Sequence, residues 1–500
     1  MSVVKLKATD GTSFQFDDEA QAGSGGMKDV FFSKDRKQVI GWYRKKPDFN
    51  SMERVRNITG VYRQRIFEQE GGDYWEPLFC WPSHIIEEKS MVGVVMPTYR
   101  NCFFFEHGSK NGDFLGIKGR EKEGKWFASA NHQQKHLDPR ERGSWLSYLT
   151  ACIKISRSVR RLHMAGLAHS DLSYKNVLLD PAGGNSCIID IDTLVVPGKY
   201  PPDVVGTPDF IAPEVMKTLK LPIGDAGKFL PRIETDRHAL AVLVYMYLLY
   251  RHPLRGRKIH DADPQRDEEL SMGLDALFVE HPKDLSNRTD PASVKPGFLP
   301  FADTSRIPFD VCGPYLKEIF TKAFVTGLHD PAGRPTADDM ERALVKTVDL
   351  IQPCVNPTCD QKWFVFDNTT RPKCPFCGTQ FIGPLPVLNL YSSRGAGKFL
   401  PDNHRLMVYS NQYLYQWHVT RTVFPGERLN AAQKKPVGYF IFHGGRWVFV
   451  NQTLTGLKDV TKGEGIHYPP GSQIRLENDQ KLLLSPDDGG RLVHVQMANI

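Results

Sequence analysis

The sequence has no long hydrophobic run. Its longest apolar stretch, residues 239–250, covers about 12 residues, whereas a helix that crosses a bilayer needs roughly 20. We therefore expect no membrane span and predict a buried helix there. The first residues, MSVVKLKATDGTS, also lack the apolar region and the small-residue cleavage site of a signal peptide, so we expect a cytoplasmic protein.

Repeats of solenoid period, low-complexity tracts and a strong net charge are also missing. The formal net charge is +7 over 500 residues, which gives little support to nucleic-acid binding, so we expect no nucleic-acid partner. With 40% hydrophobic residues the chain can build real cores, and its length suits about three to five domains. The nine cysteines are expected to be thiols or metal ligands, because disulfides rarely persist in the cytoplasm.

The pattern of residues changes along the chain. Polar, Gly- and Lys-rich residues 107–124 predict an exposed loop, and the apolar spacing of residues 145–163 predicts a helix. After residue 353 comes a Cys-rich stretch, followed by strand-like runs with Gly and Asn turns. Short β-branched and aromatic runs in the first hundred residues predict a meander of strands, at residues 14–16, 30–32, 39–43 and 92–97.

The strongest motif is HSDLSYKN at residues 169–176, followed after a short turn by IIDID at residues 188–192. Taken alone, H-x-D could be a simple turn between a helix and a hairpin. The combination resembles the catalytic loop and the metal-binding Asp of protein kinases. Phosphoryl transfer needs a carboxylate that orients the attacking hydroxyl, and a carboxylate and an amide that hold the metal. The resemblance implies Asp171 as the base, and Asn176 with Asp190 as ligands of Mg²⁺ or Mn²⁺.

Further matches follow in the order that kinases have. Residues 206–214, GTPDFIAPE, resemble the end of an activation segment, whose carboxylate docks on a later Arg. Arg334 is the candidate partner for Glu214, and Asp236 resembles the helix Asp that braces the catalytic loop. Four ordered matches over about 165 residues predict an α+β, bilobal kinase-like fold.

Three positions depart from the usual catalytic-loop pattern. Ser170 stands where many kinases have Arg, so we expect activity without activation-loop phosphorylation. Ser173 replaces a Lys that contacts the γ-phosphate, and Lys175 is the candidate to compensate for it. Asp192 replaces a Gly after the metal Asp, and is predicted either as a second metal ligand or as a solvated or capping residue.

The N-terminal residues match less closely. Residues 22–30, AGSGGMKDV, resemble a phosphate-covering loop in which Gly23, Gly25 and Gly26 approach ATP, while Lys28 occupies the third Gly position. The strand VIGWYRKK, residues 39–46, has no Lys two residues after its small Gly. Either Lys45 or Arg44 supplies the phosphate-contacting cation, or both are solvated and no residue replaces the strand Lys; we choose Lys45. The remaining residues of this expected ATP site are the helix partner Glu53 and the hinge residues Met96 and Thr98.

Four cysteines have the spacing of a metal site. Cys354 and Cys359 form one pair, and Cys374 and Cys377 follow 14 residues later. Two such pairs place four thiolates around one tetrahedral Zn²⁺, and a closed four-Cys shell is structural rather than catalytic. The other five cysteines lie among apolar neighbours and are expected to act as buried small hydrophobes.

The strands predicted after residue 387, with an Asn turn and a Pro-Gly turn, resemble a forkhead-associated β-sandwich, a fold that reads phosphothreonine. The Gly-Arg and Ser-x-x-His signatures of that family are not recognisable. The sandwich is therefore either a phosphopeptide reader or a plain docking domain.

The whole chain resembles one bacterial family, the Ser/Thr kinase-like proteins of the tellurite-resistance and stress-response triads. The runs LAHSDLSYKN (167–176) and QKWFVF (361–366) carry this narrower resemblance. It implies a protein substrate and two partners, a von Willebrand factor A-type protein and a metal-dependent Ser/Thr phosphatase. The implied domains are a kinase N-lobe (1–96), a hinge, insertion loop and helical C-lobe (97–350), a zinc ribbon (351–384) and a β-sandwich (385–500).

Two hypotheses of function remain open at this point. The first is an ATP- and Mg²⁺-dependent protein Ser/Thr kinase, supported by the complete set of Asp171, Asn176 and Asp190. The second is a pseudokinase scaffold that binds nucleotide or partners through its zinc ribbon and sandwich, supported by the missing strand Lys. A small-molecule kinase is disfavoured, because residues 206–214 suit protein substrates.

Overall fold

A computed structural model describes residues 3–24, 27–68, 71–200, 202, 206–222, 224–289, 292, 304, 307–367, 372–395 and 397–499. The chain divides into two compact units. The first unit contains residues 1–143, 147–309 and 318–341, and the second contains residues 144–146, 310–317 and 342–500. The unit boundary at residues 341 and 342 thus lies a few residues before the predicted end of the helical lobe.

Among the described residues, eight strands belong to the first unit. They are β1 (Val3–Lys7), β2 (Ser13–Ser24), β3 (Lys28–Ser33), β4 (Gln38–Tyr43), β5 (His84–Glu88), β6 (Met91–Pro97), β7 (Val177–Asp180) and β8 (Asn185–Ile188). The first six form an antiparallel sheet in the order β1-β2-β3-β4-β6-β5, and β7 and β8 form a separate hairpin. The strands predicted within the first hundred residues are confirmed.

The helices lie between β4 and β5 of this sheet and after β6. In chain order they are α1 (Phe49–Asn57), α2 (Arg63–Phe67), α3 (Gly72–Trp75), α4 (Lys110–Asp113), α5 (Ala130–His136), α6 (Trp145–Met164), α7 (Pro213–Lys217), α8 (Ile233–Leu249), α9 (Pro264–Met272), α10 (Gly313–Thr321), α11 (Ala337–Val348) and α12 (Gln416–Val419). The predicted helix over residues 145–163 corresponds to α6. The apolar run at residues 239–250 lies almost wholly in α8, whose residues from 238 to 245 are all buried. A helix that is apolar on every side belongs in a core. No helix among the described residues is long and apolar enough to cross a membrane.

The two faces of the six-stranded sheet bury different clusters. Successive residues of a strand point to opposite faces, and β4 shows this clearly. Val39 and Tyr43 pack with a cluster that also includes Leu178 and Cys187 from the hairpin. Ile40 and Trp42 pack with the cluster on the other face. Trp42 therefore lies on the face of the sheet opposite to the β7–β8 hairpin.

In the part of the second unit that the structure describes, there are twelve strands. They are β9 (Ile351–Pro353), β10 (Trp363–Val365), β11 (Leu385–Ser393), β12 (Phe399–Met407), β13 (Tyr413–Tyr415), β14 (Pro436–His443), β15 (Arg446–Asn451), β16 (Lys458–Asp459), β17 (Ile466–His467), β18 (Gln473–Arg475), β19 (Lys481–Leu483) and β20 (Arg491–Ala498). Strands β9 and β10 pair near the cysteines. The others form a six-stranded sheet, β12-β11-β20-β19-β16-β17, and a four-stranded sheet, β13-β14-β15-β18. Antiparallel sheets and helices together fit the predicted α+β class.

The buried ion pair of Glu214 and Arg334 ties α7 to the loop before α11. Two guanidinium nitrogens of Arg334 donate to the two carboxylate oxygens of Glu214, at 2.8 and 2.7 Å. The remaining N–H groups donate to the backbone oxygens of Gly327, Leu328 and Glu234. All five N–H donors of the guanidinium are thus used, and its side chain is only 1% exposed. The partner predicted for Glu214 is confirmed.

We expect Arg334→Met to destabilise the first unit by about 3–5 kcal/mol, because it leaves the Glu214 carboxylate and three backbone oxygens without their donor. The measurement is urea unfolding followed by tryptophan fluorescence. The matched control is Arg266→Met, since Arg266 forms an exposed pair with Glu269 on α9 and is expected to contribute about 0–1 kcal/mol. Equal unfolding midpoints for the two variants would contradict this account.

Candidate active site and metal site

Residues 169–176, the candidate catalytic loop, are anchored by a buried carboxylate. Asp236, in the first turn of α8, is 2% exposed. Its Oδ2 accepts the backbone N–H of His169 at 2.7 Å and lies 3.2 Å from Nε2 of His163. The ring of His169 in turn lies 2.9 Å from the backbone oxygen of Ile189. Asp236 therefore fixes the start of the loop, as predicted, and His169 links the loop to the segment that carries Asp190.

Three donors orient the carboxylate of Asp171. Its Oδ1 accepts the backbone N–H and the hydroxyl of Thr207, at 2.7 and 2.9 Å. Its Oδ2 accepts Nδ2 of Asn176 at 2.9 Å, and the same Nδ2 donates to the backbone oxygen of Asp171 at 2.8 Å. Because these bonds use the amide nitrogen of Asn176, its amide oxygen is the atom suited to a metal ligand. The structure thus brings Asp171 and Asn176 together.

Thr207 has a role here that the sequence analysis missed. It is 9% exposed, and its hydroxyl lies 3.4 Å from Ser173 as well as donating to Asp171. The signal was present in the sequence, since Thr207 belongs to the segment that matched the end of a kinase activation segment. The position of its side chain depends on how that segment folds back onto the loop, which local spacing does not reveal.

Asp190 and Asp192 converge on one lysine. Asp190 follows β8 in a left-handed conformation, with φ 61°, and its side chain is 36% exposed. Nζ of Lys28 lies 3.2 Å from Asp190 Oδ1 and 2.6 and 2.7 Å from the two oxygens of Asp192. Asp192 is also the acceptor for the hydroxyl of Tyr43. Asp192 is fully buried, and both of its carboxylate oxygens accept hydrogen bonds. The geometry therefore favours neither a solvated residue nor a second metal ligand at this position.

The buried pair is held in its charged form. Burial alone would raise the pKa of Asp192, but the ammonium of Lys28 and the hydroxyl of Tyr43 outweigh it and hold that pKa below its ordinary value. Burial likewise opposes the charge on Lys28, yet Asp192 and Asp190 raise its pKa above the ordinary value. Burial, and then the charge of Asp192, raise the pKa of Tyr43, which keeps its hydroxyl protonated as a donor. These shifts describe an ionised Lys28 between two carboxylates.

Neighbouring strands make room for Lys28. It lies directly opposite Tyr43 in the antiparallel pairing of β3 and β4. A Cβ on Gly41 would come within 3.3 Å of Lys28 Cδ and 3.2 Å of Met96 Cε, so the absent side chain leaves space for the lysine stem. Tyr43 stands two residues after Gly41, where the sequence analysis sought a Lys. Because Lys28 stands on β3, the sequence of β4 alone does not reveal it.

The cation predicted for this site lies elsewhere. Lys45 is exposed after the end of β4, because the strand ends at Tyr43 and the chain leaves the sheet there. Arg44 pairs with Asp29 at the surface, at 2.8 Å. Lys175 is also exposed on the catalytic loop. Lys28, which the sequence analysis named only at the third Gly position, is the basic residue whose Nζ lies beside Asp190.

Helix α1 does not offer the predicted carboxylate. Glu53 pairs with Arg56 of the same helix, at 2.9 Å, and its side chain is 35% exposed. The buried charged residue of α1 is Arg54, which is 3% exposed. A cation in this position cannot serve as the ion-pair partner of Lys28.

The predicted nucleotide-binding residues of the loop and hinge have mixed outcomes. Gly25 and Gly26 lie outside the described residues, and Gly23 pairs with Val30 within the sheet. Met96 is buried at the end of β6, beside Gly41. Thr98 is turned toward the β3–β4 connection, because its N–H donates to Lys37 O at 3.0 Å and its hydroxyl donates to Arg36 O at 2.9 Å. The N–H of Thr98 is thus already used within the protein.

A cavity of about 550 Å³ also lies beside the hinge. Thr98, Tyr99 and Cys80 line it together with aromatic residues such as Phe67 and Trp81. Neither Lys28 nor the acidic residues described above belong to its lining.

In the second unit the four predicted cysteines form one cluster. Their sulfurs all lie within 4.8 Å of one another, with Cys354 and Cys377 3.5 Å apart and Cys359 and Cys374 3.8 Å apart. Four sulfurs about 2.3 Å from a tetrahedral Zn²⁺ would be separated by about 3.8 Å, so the cluster fits that ion. Among the described residues, it is the one cluster of three or more His, Cys, Asp or Glu side chains that could hold a metal ion.

Two backbone turns shape the cluster. Cys354 N–H donates to Lys362 O at 2.7 Å, and Gly378 N–H donates to Cys374 O at 2.8 Å. Gly378 has φ 77°, which Gly adopts without strain. Burial opposes ionisation of Cys377, but its contacts with Thr379 and the neighbouring thiols outweigh this and lower the pKa of Cys377 to about 6. The thiolate is the form that binds a metal.

Comparisons with known proteins point to kinases. Part of this chain is 33% identical over 121 residues to death-associated protein kinase dapk-1 of Caenorhabditis elegans, covering 24% of the chain and 7% of that protein. It is 32% identical over 151 residues to atypical protein kinase C of Drosophila melanogaster, covering 29% and 23%. It is 28% identical over 150 residues to serine/threonine-protein kinase PknD of Chlamydia abortus, covering 25% and 15%.

The chain thus spans less than a quarter of the length of each of these relatives. No family model matches the chain. Similarity to three Ser/Thr protein kinases supports a kinase-like function for the matching part of the chain. Protein kinases act on ATP with Mg²⁺, and the carboxylates and amide described above are of the kind that bind that metal.

We expect the purified protein to carry one Zn²⁺ per chain and Cys374→Ser to lose it, because three thiolates hold the ion more weakly than four. Metal content by mass spectrometry of protein prepared without chelator checks this. Cys102→Ser is the matched control, since Cys102 lies outside the cluster and is partly exposed. Equal zinc in the two variants, or none in the unmodified protein, would refute the assignment.

Proposed function

We propose that this chain is an ATP- and Mg²⁺-dependent protein Ser/Thr kinase. The observation that carries the proposal is the fixed carboxylate of Asp171, held by Thr207 and Asn176 at hydrogen-bond distance. A carboxylate fixed in this way can orient a hydroxyl group and accept its proton. The similarity to Ser/Thr protein kinases supports the same reading.

The residues present can be assigned to steps of phosphoryl transfer. The hydroxyl oxygen of a protein Ser or Thr attacks the γ-phosphorus of ATP, the bond from that phosphorus to the β-γ bridging oxygen breaks, and Asp171 takes the hydroxyl proton. The Asn176 amide oxygen and the Asp190 carboxylate would hold Mg²⁺. When bound, this ion neutralises phosphate charge. Thr207 holds Oδ1 of Asp171 in place through two hydrogen bonds.

The buried position of Thr207 also bears on regulation. Its hydroxyl already donates to Asp171, so a phosphate on Thr207 would break that contact and bring negative charge against a carboxylate. Ser170 supplies no cation for an activation-loop phosphate. We therefore keep the proposal that the enzyme is active without phosphorylation of this segment.

The test is phosphate transfer from radiolabelled ATP to a generic Ser/Thr protein substrate, with Mg²⁺ or Mn²⁺. Asp171→Asn should lower the rate at least about 100-fold, because the amide cannot accept the hydroxyl proton. Asp284→Asn is the matched control, since Asp284 lies at the surface and caps a turn at Ser286. The ATP affinity of Asp171→Asn should change little.

A second candidate function is a pseudokinase scaffold. The observation that favours it is the absence of a lysine from the end of β4, where Tyr43 stands. ATP binding without transfer in both the unmodified protein and Asp171→Asn would establish this alternative and overturn the kinase proposal.

The partners and the cellular setting rest on the sequence resemblance alone. We propose a protein substrate, a von Willebrand factor A-type partner, a metal-dependent Ser/Thr phosphatase and a tellurite-resistance role in the cytoplasm. The two antiparallel sheets of the second unit support a docking β-sandwich of the forkhead-associated type. Affinity purification of the tagged protein from its native host should recover both partners, and recovery of neither would count against this setting.

A further inference from the structure

The carboxylate of Asp192 is the most deeply buried acidic group of the candidate active site. Its side chain is 0% exposed, and it is neutralised by Lys28, whose side chain is 11% exposed. A buried carboxylate needs a charged partner and hydrogen bonds to remain ionised. Lys28 supplies two hydrogen bonds and Tyr43 a third. Asp192 therefore fixes the ammonium of Lys28 at one point.

That point lies beside the metal-binding carboxylate. An ammonium has three N–H donors, and Lys28 directs two to Asp192 and one to Asp190. The bond to Asp190 is the longest, at 3.2 Å against 2.6 and 2.7 Å. Asp190 is also the more exposed partner, at 36%. The donor directed toward Asp190 is thus the one that a phosphate oxygen can accept from.

A purely structural lysine would not require this arrangement. In phosphoryl transfer by protein kinases, a strand lysine binds the phosphates and is positioned by a helix carboxylate. Here the strand position holds Tyr43, and the buried charged residue of α1 is Arg54 rather than an acid. In this chain, Lys28 of β3 stands in for the strand lysine. Asp192, from the segment after β8, stands in for the helix carboxylate and pairs with Lys28.

We propose that Lys28 binds the phosphates of ATP and that Asp192 is its positioning residue. This inference rests on the proposed function. Under this proposal, Asp192 positions the phosphate-binding lysine, and no carboxylate on α1 is needed for that purpose.

The first test compares the affinities for ATP and adenosine, measured by isothermal titration calorimetry with Mg²⁺. Lys28→Met should weaken ATP binding by about 10- to 100-fold, the range expected for one hydrogen bond to a charged group, and leave adenosine binding unchanged. Lys46→Met is the matched control, since Lys46 is exposed beyond β4. Equal loss of both affinities, or loss of neither, would overturn the proposal.

Because Lys28→Met leaves a buried carboxylate without its cation, it can fail to fold. The double variant Lys28→Met, Asp192→Asn removes both charges, so it should keep the thermal unfolding midpoint closer to that of the unmodified protein while still binding ATP weakly. Asp192→Asn alone should lower the affinity for ATP more than that for adenosine. A merely structural Asp192 would lower both equally.

The second test restores the lysine from the opposite strand. Tyr43 lies directly across from Lys28 and reaches the same carboxylate. Adding Tyr43→Lys to Lys28→Met should therefore recover at least about tenfold of the lost ATP affinity. Adding Lys45→Met instead should recover none. Full ATP affinity in Lys28→Met, with loss in Lys45→Met alone, would assign the role to Lys45 and refute ours.

These measurements separate the inference from the proposed function. Lys28-dependent ATP binding without phosphate transfer by the unmodified protein would support the role of Lys28 and overturn the kinase. Phosphate transfer that survives Lys28→Met at full ATP affinity would support the kinase and overturn the role of Lys28. An unmodified protein that binds no ATP would overturn both.

Discussion

The burial of one carboxylate, Asp192, constrains the candidate active site more than any other interaction described. An acidic group withdrawn from water must be paired, and the cation that pairs with it must also be withdrawn. The side chain of Lys28 is therefore buried against the sheet, with 11% of it exposed. Gly41 has no side chain where the lysine stem passes, and Tyr43 offers a hydroxyl rather than a second charge. Asp190 then comes within reach of the same ammonium.

Two further buried charges hold the helical part of the first unit around this site. Asp236 accepts the backbone of the catalytic loop, and Arg334 uses its full set of donors at the end of the segment that carries Thr207. Asp171 lies between the two anchored points of the chain, His169 and Glu214, and its carboxylate is oriented from both sides, by Asn176 and by Thr207. The placement of the Asp171 carboxylate thus depends on its two direct contacts and on the buried charges that hold the segments carrying them.

Sequence reasoning found what short spacing encodes. The period of apolar residues located α6 and α8, and the order of motifs located Asp236, Arg334 and the four cysteines. It did not find Lys28, because the partner of a residue on one strand is set by the register of its neighbour rather than by the distance along the chain. It misjudged Glu53 for a similar reason. Which side of α1 faces the core is decided by packing, and the side that faces it carries Arg54.

The cross-strand pairing of Lys28 and Tyr43 has a consequence for how such proteins are classified. Residues 28 and 43 are separate columns in any alignment, yet they are neighbours in space. A classification that considers only the alignment position of Tyr43 records this chain as lacking the lysine. In the structure, however, Lys28 lies beside Asp190. What a comparison of such proteins has to match is the location of the ammonium group beside Asp190, whichever strand carries the lysine.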